Sequence, residues 1–536
     1  MKHWLRGIDR MGGSNFGMQD PDVLVIGLGP VGAVFAALCA KQGLSVLVIE
    51  RDTEIYKQPR AIVIDYEVMR QLNLIGCADG VLQNSKPSEG YQFVNKDWQV
   101  LMKRDRPPVM APTGYHFANL FHQPSMERVV RDALDEMPNV EILLGVNFLA
   151  IEQDGDGVTA TVSMSEGLRE VRSKFAVGCD GGSSLTRRYL DIQLEDLGFD
   201  EPWVVVDVTV PEGVEGLPKA GTQMCDPDRP TTCVPSGPGR HRWEFMLKED
   251  ETAEHVTRPE TLKKWISDWI DPDLIKLERS AVYQFHGLVA KQWRKGRVMI
   301  IGDAAHQTPP FMGQGLCAGI RDAANLAWKL AAVDRGEADP DLLDTLASER
   351  SPHARGVING AIEMGKVVCV LDPSEAAARD RKMIADREAG QPYNLPGVPK
   401  IENGILGDEA AGRVFPEGFL AGGEADGERI DDLVGYVPLL IVNSDRLPDR
   451  FCEQAQRLRT ISSDLRICTI GGHADNATAI EDSTGLIADY LGEAPAMLVK
   501  PDRIIFGSGE IESLADAWSR YLQGEKFEVE KTGMAA

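Results

Sequence analysis

The segment from Val23 to Glu50 constrains the fold most. It reads as an apolar run Val23-Leu-Val-Ile26, a turn Gly27-Leu-Gly-Pro-Val-Gly32, an alanine-rich stretch to about Gln42, and a second run Ser45-Val-Leu-Val-Ile49 that ends at Glu50. Both runs are continuously apolar, as in strands covered on both faces of a parallel sheet. The alanine-rich stretch between them, stopped by Gly43, has helix composition. The spacing therefore predicts a β-α-β unit with a G-x-G-x-x-G turn at its first strand-to-helix junction. Such a turn lets a backbone approach a pyrophosphate, the helix start supplies N–H donors, and a strand-end carboxylate such as Glu50 accepts hydrogen bonds from a ribose diol. A ligand-free tight turn would also use these glycines. The strand-turn-helix context and Glu50 favour a dinucleotide, and leave open whether it is FAD or a nicotinamide nucleotide.

Two further strands end in similar turns: Phe175-Ala-Val-Gly178 runs into Cys179-Asp180-Gly181-Gly182, and Val298-Met-Ile-Ile301 into Gly302-Asp303-Ala304-Ala305-His306. Between them, Trp203 to Val210 and Trp243 to Leu247 read as strands in a region rich in proline and glycine. They predict a separate sheet inserted into the nucleotide-binding fold. The expected organisation is a tail over 1–20, a discontinuous nucleotide-binding domain over 21–190 and 280–375, an inserted sheet over 191–279, a loosely packed linker over 376–430, and a small α/β module over 431–536. From Gly315 to Val333 apolar residues recur at three and four, predicting a long helix.

Composition removes several classes. With 57 Lys and Arg against 82 Asp and Glu, the net charge of −25 argues against nucleic-acid or anionic-membrane binding. Nine cysteines without a CxxC pair point away from a disulfide framework or zinc ribbon and toward a reducing, cytoplasmic setting. The stretch Val23–Ile49, broken by glycines, Pro30 and Lys41, is not a membrane span, and residues 1–20 lack the apolar core of a signal peptide. No local group of histidines and carboxylates suggests a metal site.

The distal motifs are more specific. Pro59-Arg60-Ala61-Ile62, Phe121-His122-Gln123-Pro124, the run Cys179 to Arg187 with Asp180, Ser184 and Arg187 as DGxxSxxR, and Gly302-Asp303 followed by Pro309-Pro310 and Gly313-Gln314-Gly315 resemble the class A FAD-dependent aromatic monooxygenases from about residue 22 to 355. Within that class, Pro59 to Asp65, Cys225 to Pro230, Glu244-Phe-Met-Leu247 and Gly319 to Ala323 are similar to the 3-(3-hydroxyphenyl)propionate / 3-hydroxycinnamate hydroxylases. The resemblance implies an α/β chain: an FAD-binding Rossmann-like domain of GR2 type, an inserted β-sheet substrate domain, and a thioredoxin-like C-terminal domain whose last strand would be Leu498-Val-Lys-Pro-Asp-Arg503. The redox cysteines of that last domain are missing.

The resemblance also implies roles. FAD would be held by Gly27, Gly29, Gly32, Glu50, Arg51, Arg60, Gln123, Asp180, Asp303, Pro310, Gly313, Gly315 and Leu316, with Asp180 equally readable as a helix cap. NADH or NADPH would be the co-substrate. A phenolic acid would be hydroxylated ortho to its hydroxyl by O2 through a C4a-hydroperoxyflavin, in aromatic catabolism. Tyr115, His116 and Tyr283 are candidates to take the phenol proton, each with packing as the plainer reading, and His306 reads as a hydrogen-bonded structural histidine. Alternatives are an uncharged phenol, resorcinol or polyketide substrate, or a noncatalytic flavin-binding module. A flavin halogenase would carry a Trp-x-Trp-x-Ile-Pro string, which does not occur. The oligomeric state, a homodimer included, stays open.

Overall fold

In a computed structural model, residues 20–527 are described except 107–108, 407–408, 421–427, 475 and 483; the tail expected over 1–20 lies almost wholly outside them. The β-α-β unit forms as its composition dictates. Strands Val23–Ile26 and Val46–Glu50 pair in parallel, and the helix Pro30–Lys41 crosses between them with proline in its first turn, where a missing N–H costs nothing. Phe175–Gly178 and Val298–Ile300 extend the sheet on one side and Val140–Leu144 on the other. All four Val23–Ile26 side chains are buried, which is why the run has no polar alternation. The helix Gly315–Asp334 packs against Pro30–Lys41.

A second sheet of eight strands stands beside the first. Its middle is Leu194–Thr209, Arg240–Met246, Thr231–Pro235 and Gly221–Met224, flanked by Lys276–Ala290 and the edge strand His306–Gln307 on one side and by Gly90–Val94 and Val100–Asp105 on the other. The sheet expected over 191–279 therefore reaches further in both directions. Residues 90–105 join it because Gly90–Val94 pairs in parallel with Gly221–Met224, a contact between distant segments that no local pattern announces.

The described residues of the segment expected as a loose linker are packed against the rest of the chain. It opens with the helix Pro373–Glu388, whose N-terminal N–H groups at Ser374 and Glu375 are capped by the Asp372 carboxylate. Beyond it Ile401, Ile405, Ala411 and Phe415 are buried. Most of its charged residues face solvent, although Glu417 is buried beside Arg70 and Arg429, and its sparse buried apolar residues form a pattern too irregular to be read as core.

In the C-terminal module Leu439–Asn443, Arg466–Ile470 and Thr478–Glu481 are parallel, and Ala496–Val499 and Ile505–Gly509 follow antiparallel on the other side. It shares a core with the first domain: Trp518 stacks on Trp328 at 5.8 Å. Beside that stack, buried Glu349 accepts hydrogen bonds from Asn325 (2.8 Å), Lys329 (2.9 Å), Lys500 (2.9 Å) and Tyr521 (2.6 Å). Asp431 likewise joins Arg70 to Arg503. Among the described residues no helix is long and apolar enough to cross a membrane.

Candidate active site

One cavity of about 1650 Å3 runs between the nucleotide-binding sheet and the inner face of the eight-stranded sheet. That is beyond the roughly 300–1,000 Å3 that suffices for a drug-sized ligand, so a dinucleotide and a small aromatic fit together. Its floor is the glycine turn. Gly27 has φ +103°, and a Cβ there would lie 2.7 Å from the Cys179 carbonyl; a Cβ on Gly32 would lie 2.1 Å from the Gly27 carbonyl. A Cβ on Gly29 would meet nothing within 4 Å. Gly27 and Gly32 are thus glycine for close backbone packing, whereas Gly29 faces open space at the start of a helix that has no side-chain cap. A backbone bare toward the cavity at a helix N-terminus is the form a pyrophosphate site takes.

The other expected cofactor residues gather on the same walls. Glu50, Arg51, Arg60, Gln123, Asp180, Asp303, Pro310, Gly313, Gly315 and Leu316 all line the cavity, and Gly32 sits just behind it. Their local bonds refine the reading. The Glu50 carboxylate accepts from Leu28 N–H (2.7 Å) and Asp52 N–H (3.0 Å), which fixes it at the end of its strand. Gln123 spends its oxygen on the N–H groups of Arg60 (3.0 Å) and Ala61 (2.7 Å) and its amide on Glu127 (2.8 Å). It therefore shapes the 60–61 turn rather than offering its side chain to a ligand. Asp180 accepts from Ser184 (2.5 Å) and from the Thr186 N–H (2.9 Å) and hydroxyl (3.1 Å), the capping role the sequence leaves open. Arg187 donates to the carbonyls of Ala304 (3.0 Å) and Gly182 (2.8 Å), tying the second turn to the third.

Asp303 opens into the cavity while protein crowds it from behind. Burial raises its carboxyl pKa, with His306 and Arg60 opposing. His306 itself is buried and hydrogen-bonded to Asp322 at 2.6 Å, as a structural histidine.

The proton-transfer candidates divide. Tyr283 lines the cavity and receives a hydrogen bond from Arg279; burial raises its pKa against the pull of that guanidinium. Tyr115 and His116 stand apart from it. Tyr115 is buried against Arg429, whose guanidinium lies 4.5 Å from its ring centre, in the seam with the C-terminal module. It is a packing residue there.

Three groups on the sheet face carry signals that sequence reasoning did not single out. Asp207 binds Arg242 (2.7 and 3.1 Å) and Arg279 (3.3 Å), and these arginines donate in turn to the carbonyls of Pro59 (2.5 Å from each) and Arg60 (2.6 Å, from Arg242). The sheet thereby grips the Pro59-Arg60 turn that borders the cavity. Arg106, partly buried on the cavity wall, has no hydrogen bond or ion pair from its guanidinium to any described residue. Glu244, buried on the same face, has none to its carboxylate within hydrogen-bond distance; Arg242 is 3.8 Å away.

The FAD binding domain family model matches residues 20–361. The chain is also 35% identical over 498 residues, 92% of each chain, to a probable NADH-specific resorcinol 4-hydroxylase of Rhodococcus jostii (strain RHA1). The chain belongs to the class A FAD-dependent aromatic monooxygenases. This monooxygenase is 30% identical over 521 residues, 92% of its own length and 94% of the relative's, to a 3-(3-hydroxy-phenyl)propionate/3-hydroxycinnamic acid hydroxylase of Burkholderia cenocepacia (strain HI2424). Among solved structures its fold matches aklavinone-11 hydroxylase in complex with FAD and aklavinone, with a TM-score of 0.77 at 22% identity over 95% of this chain and all of that one. Gly29, Glu50 and Asp303 lie along one cavity of this monooxygenase.

Proposed function

We propose that this monooxygenase uses NADH and O2 to hydroxylate a phenolic acid of the 3-(3-hydroxyphenyl)propionate or 3-hydroxycinnamate type ortho to its hydroxyl. The net reaction consumes phenol, O2, NADH and a proton and yields the catechol, NAD+ and water. FAD, when bound, supplies the passage of two electrons from the nicotinamide to oxygen. The protein contributes position and dryness. The turn packed through Gly27 and Gly32 would present the open Gly29 backbone to the pyrophosphate, with Glu50 meeting the adenosine ribose and Asp303 a ribityl hydroxyl. The Pro310–Met312 turn and Gly313 to Leu316 would place the start of the helix Gly315–Asp334 against the ring system. The eight-stranded sheet would cover the aromatic substrate and keep water from it. The C-terminal β-α-β unit with its following antiparallel pair fits a thioredoxin-like arrangement used as a structural clamp.

The observation that carries the acid substrate is Arg106. Arg242 and Arg279 are satisfied by Asp207 and backbone carbonyls, while Arg106 faces the cavity without a described partner. A partly buried guanidinium without a partner is costly, and a substrate carboxylate would supply one. With a net charge of −25, such a local cation must do the attracting that the long-range field does not. Burial lowers the Arg106 pKa and Asp65 counters it. The neutral alternative, supported by the resorcinol-hydroxylase relative, leaves Arg106 unused.

Arg106→Gln is expected to lower kcat/KM for the phenylpropionate at least tenfold, about 1.4 kcal/mol, and to leave resorcinol unchanged. Equal losses on both compounds, or a wild-type preference for resorcinol, would overturn the acid assignment. Asp303→Ala is expected to weaken FAD binding by a factor of roughly ten to a hundred, from a charge-assisted hydrogen bond of about 1.5–3 kcal/mol. Titrating the apoprotein with FAD by flavin fluorescence measures it.

A further inference from the structure

Glu244 stands at the centre of the cavity-facing sheet surface. Strand register places it between Thr232 on one neighbouring strand and Val205 on the other, with Gln223 beyond Thr232. The donors on the adjoining sheet positions are already engaged. The Thr232 hydroxyl donates to the Gln223 oxygen (2.8 Å), the Gln223 amide to the Tyr91 hydroxyl (2.7 Å), and that hydroxyl to the Phe311 carbonyl (3.0 Å). Arg242 commits its donors to Asp207 and to the Pro59 and Arg60 carbonyls. Glu244, only 5% exposed, is therefore an acceptor without a hydrogen-bond donor among the described residues. A buried carboxyl in that position is unfavourable until something filling the cavity supplies an O–H.

We propose that Glu244 is the catalytic residue that receives the phenolic proton of the substrate. The inference rests on the hydroxylase reading and adds to it. In the step, the phenol O–H bond breaks, the proton passes to a Glu244 carboxylate oxygen, and the electron pair stays on the phenolate oxygen. That pair raises electron density at the ortho carbon that takes the oxygen atom. The proton later lost from that carbon restores the aromatic ring, and the net reaction is unchanged.

The surroundings suit the task. The charged and titratable groups around Glu244 are Arg242 on its own strand, Asp207 and Arg279 on the strands beyond, and Tyr91 and Tyr283 on the same face. Burial raises its carboxyl pKa, Asp207 adds to the rise, and Arg242 and Arg279 oppose it. A carboxylate moved upward is a better proton acceptor near neutral pH. Tyr283, held by Arg279, is left to orient the ring.

The test uses the FAD-loaded enzyme with NADH and a series of meta-substituted phenols of graded acidity, catechol being quantified. In the wild type, kcat/KM should rise with pH along a limb that lies below the phenol's own ionisation and does not move along the series. Glu244→Gln should lose that limb and reduce catechol formation about a hundredfold, in the usual range for a general base, with the deficit shrinking for the most acidic phenol. Glu244→Asp should restore part of the rate. A wild-type limb that tracks each phenol's pKa overturns the proposal even if the glutamine variant does not fold. So does a variant deficit that is uniform across pH and phenol acidity. If the wild type forms no catechol from any phenol, the hydroxylase reading fails instead.

Discussion

Glu349→Gln is expected to remove about 3–5 kcal/mol of stability, the usual cost of stripping a buried ion cluster of its counter-charge. Glu349 is the carboxylate that Lys329 and Lys500 share, and both ammonium groups are fully buried. Without it, two positive charges remain in the seam between the nucleotide-binding domain and the C-terminal module. The pH dependence follows with a definite sign. Burial pushes the Glu349 carboxyl upward, but Lys329 and Lys500 outweigh it and hold it at about 2, below the unfolded value of about 4.3. Its contribution is therefore complete above about pH 4.5 and fades as pH falls toward 2. Urea midpoints measured across that window should show an acid limb in the wild type that is shallower in Glu349→Gln. Lys329 acts oppositely: burial, against the pull of Glu349, brings it down to about 8, so its unfavourable share is relieved as pH rises from 8 toward about 10.4.

Asp207→Ala should cost a similar 3–5 kcal/mol and impair catalysis as well. Its carboxylate, 2% exposed, is the counter-charge for both Arg242 and Arg279. Those two arginines hold the Pro59 and Arg60 carbonyls, so the loss should loosen a turn that lines the cavity. NADH oxidation would continue with a larger share of its electrons released as hydrogen peroxide, because the cavity would admit water. Peroxide and catechol measured per NADH consumed, beside an unfolding curve, report both effects. An unchanged ratio would show that the clamp stabilises the fold without shaping the site.

These two clusters also show where sequence reading reaches its limit. The β-α-β unit was legible because its signals are local: four apolar residues, a glycine turn, a helix and a carboxylate within one short stretch. Asp303 and the 310–316 turn could be placed through the family motifs. Asp207, Arg242 and Glu244 could not, because their meaning comes from register between strands far apart in the chain. In isolation each is a charged residue in a strand. Arg106 was hidden for the same reason, since residues 90–105 join the sheet through a parallel pairing with Gly221–Met224. Tyr115 illustrates the converse. Its phenolic hydroxyl made it a candidate for the substrate proton beside the plainer packing reading, and the chain places it against Arg429. Gln123 lines the cavity, but its oxygen serves the neighbouring backbone and its amide the Glu127 side chain.

The most direct measurement of the central claim is isotopic. Purified protein reconstituted with FAD, supplied with NADH and 3-(3-hydroxyphenyl)propionate under 18O2, should form a catechol acid carrying one oxygen atom from the gas, with one NADH consumed for each product in the coupled reaction. NADH oxidation that yields only hydrogen peroxide across phenolic acids and neutral phenols, or a catechol whose new oxygen comes from water, would contradict it.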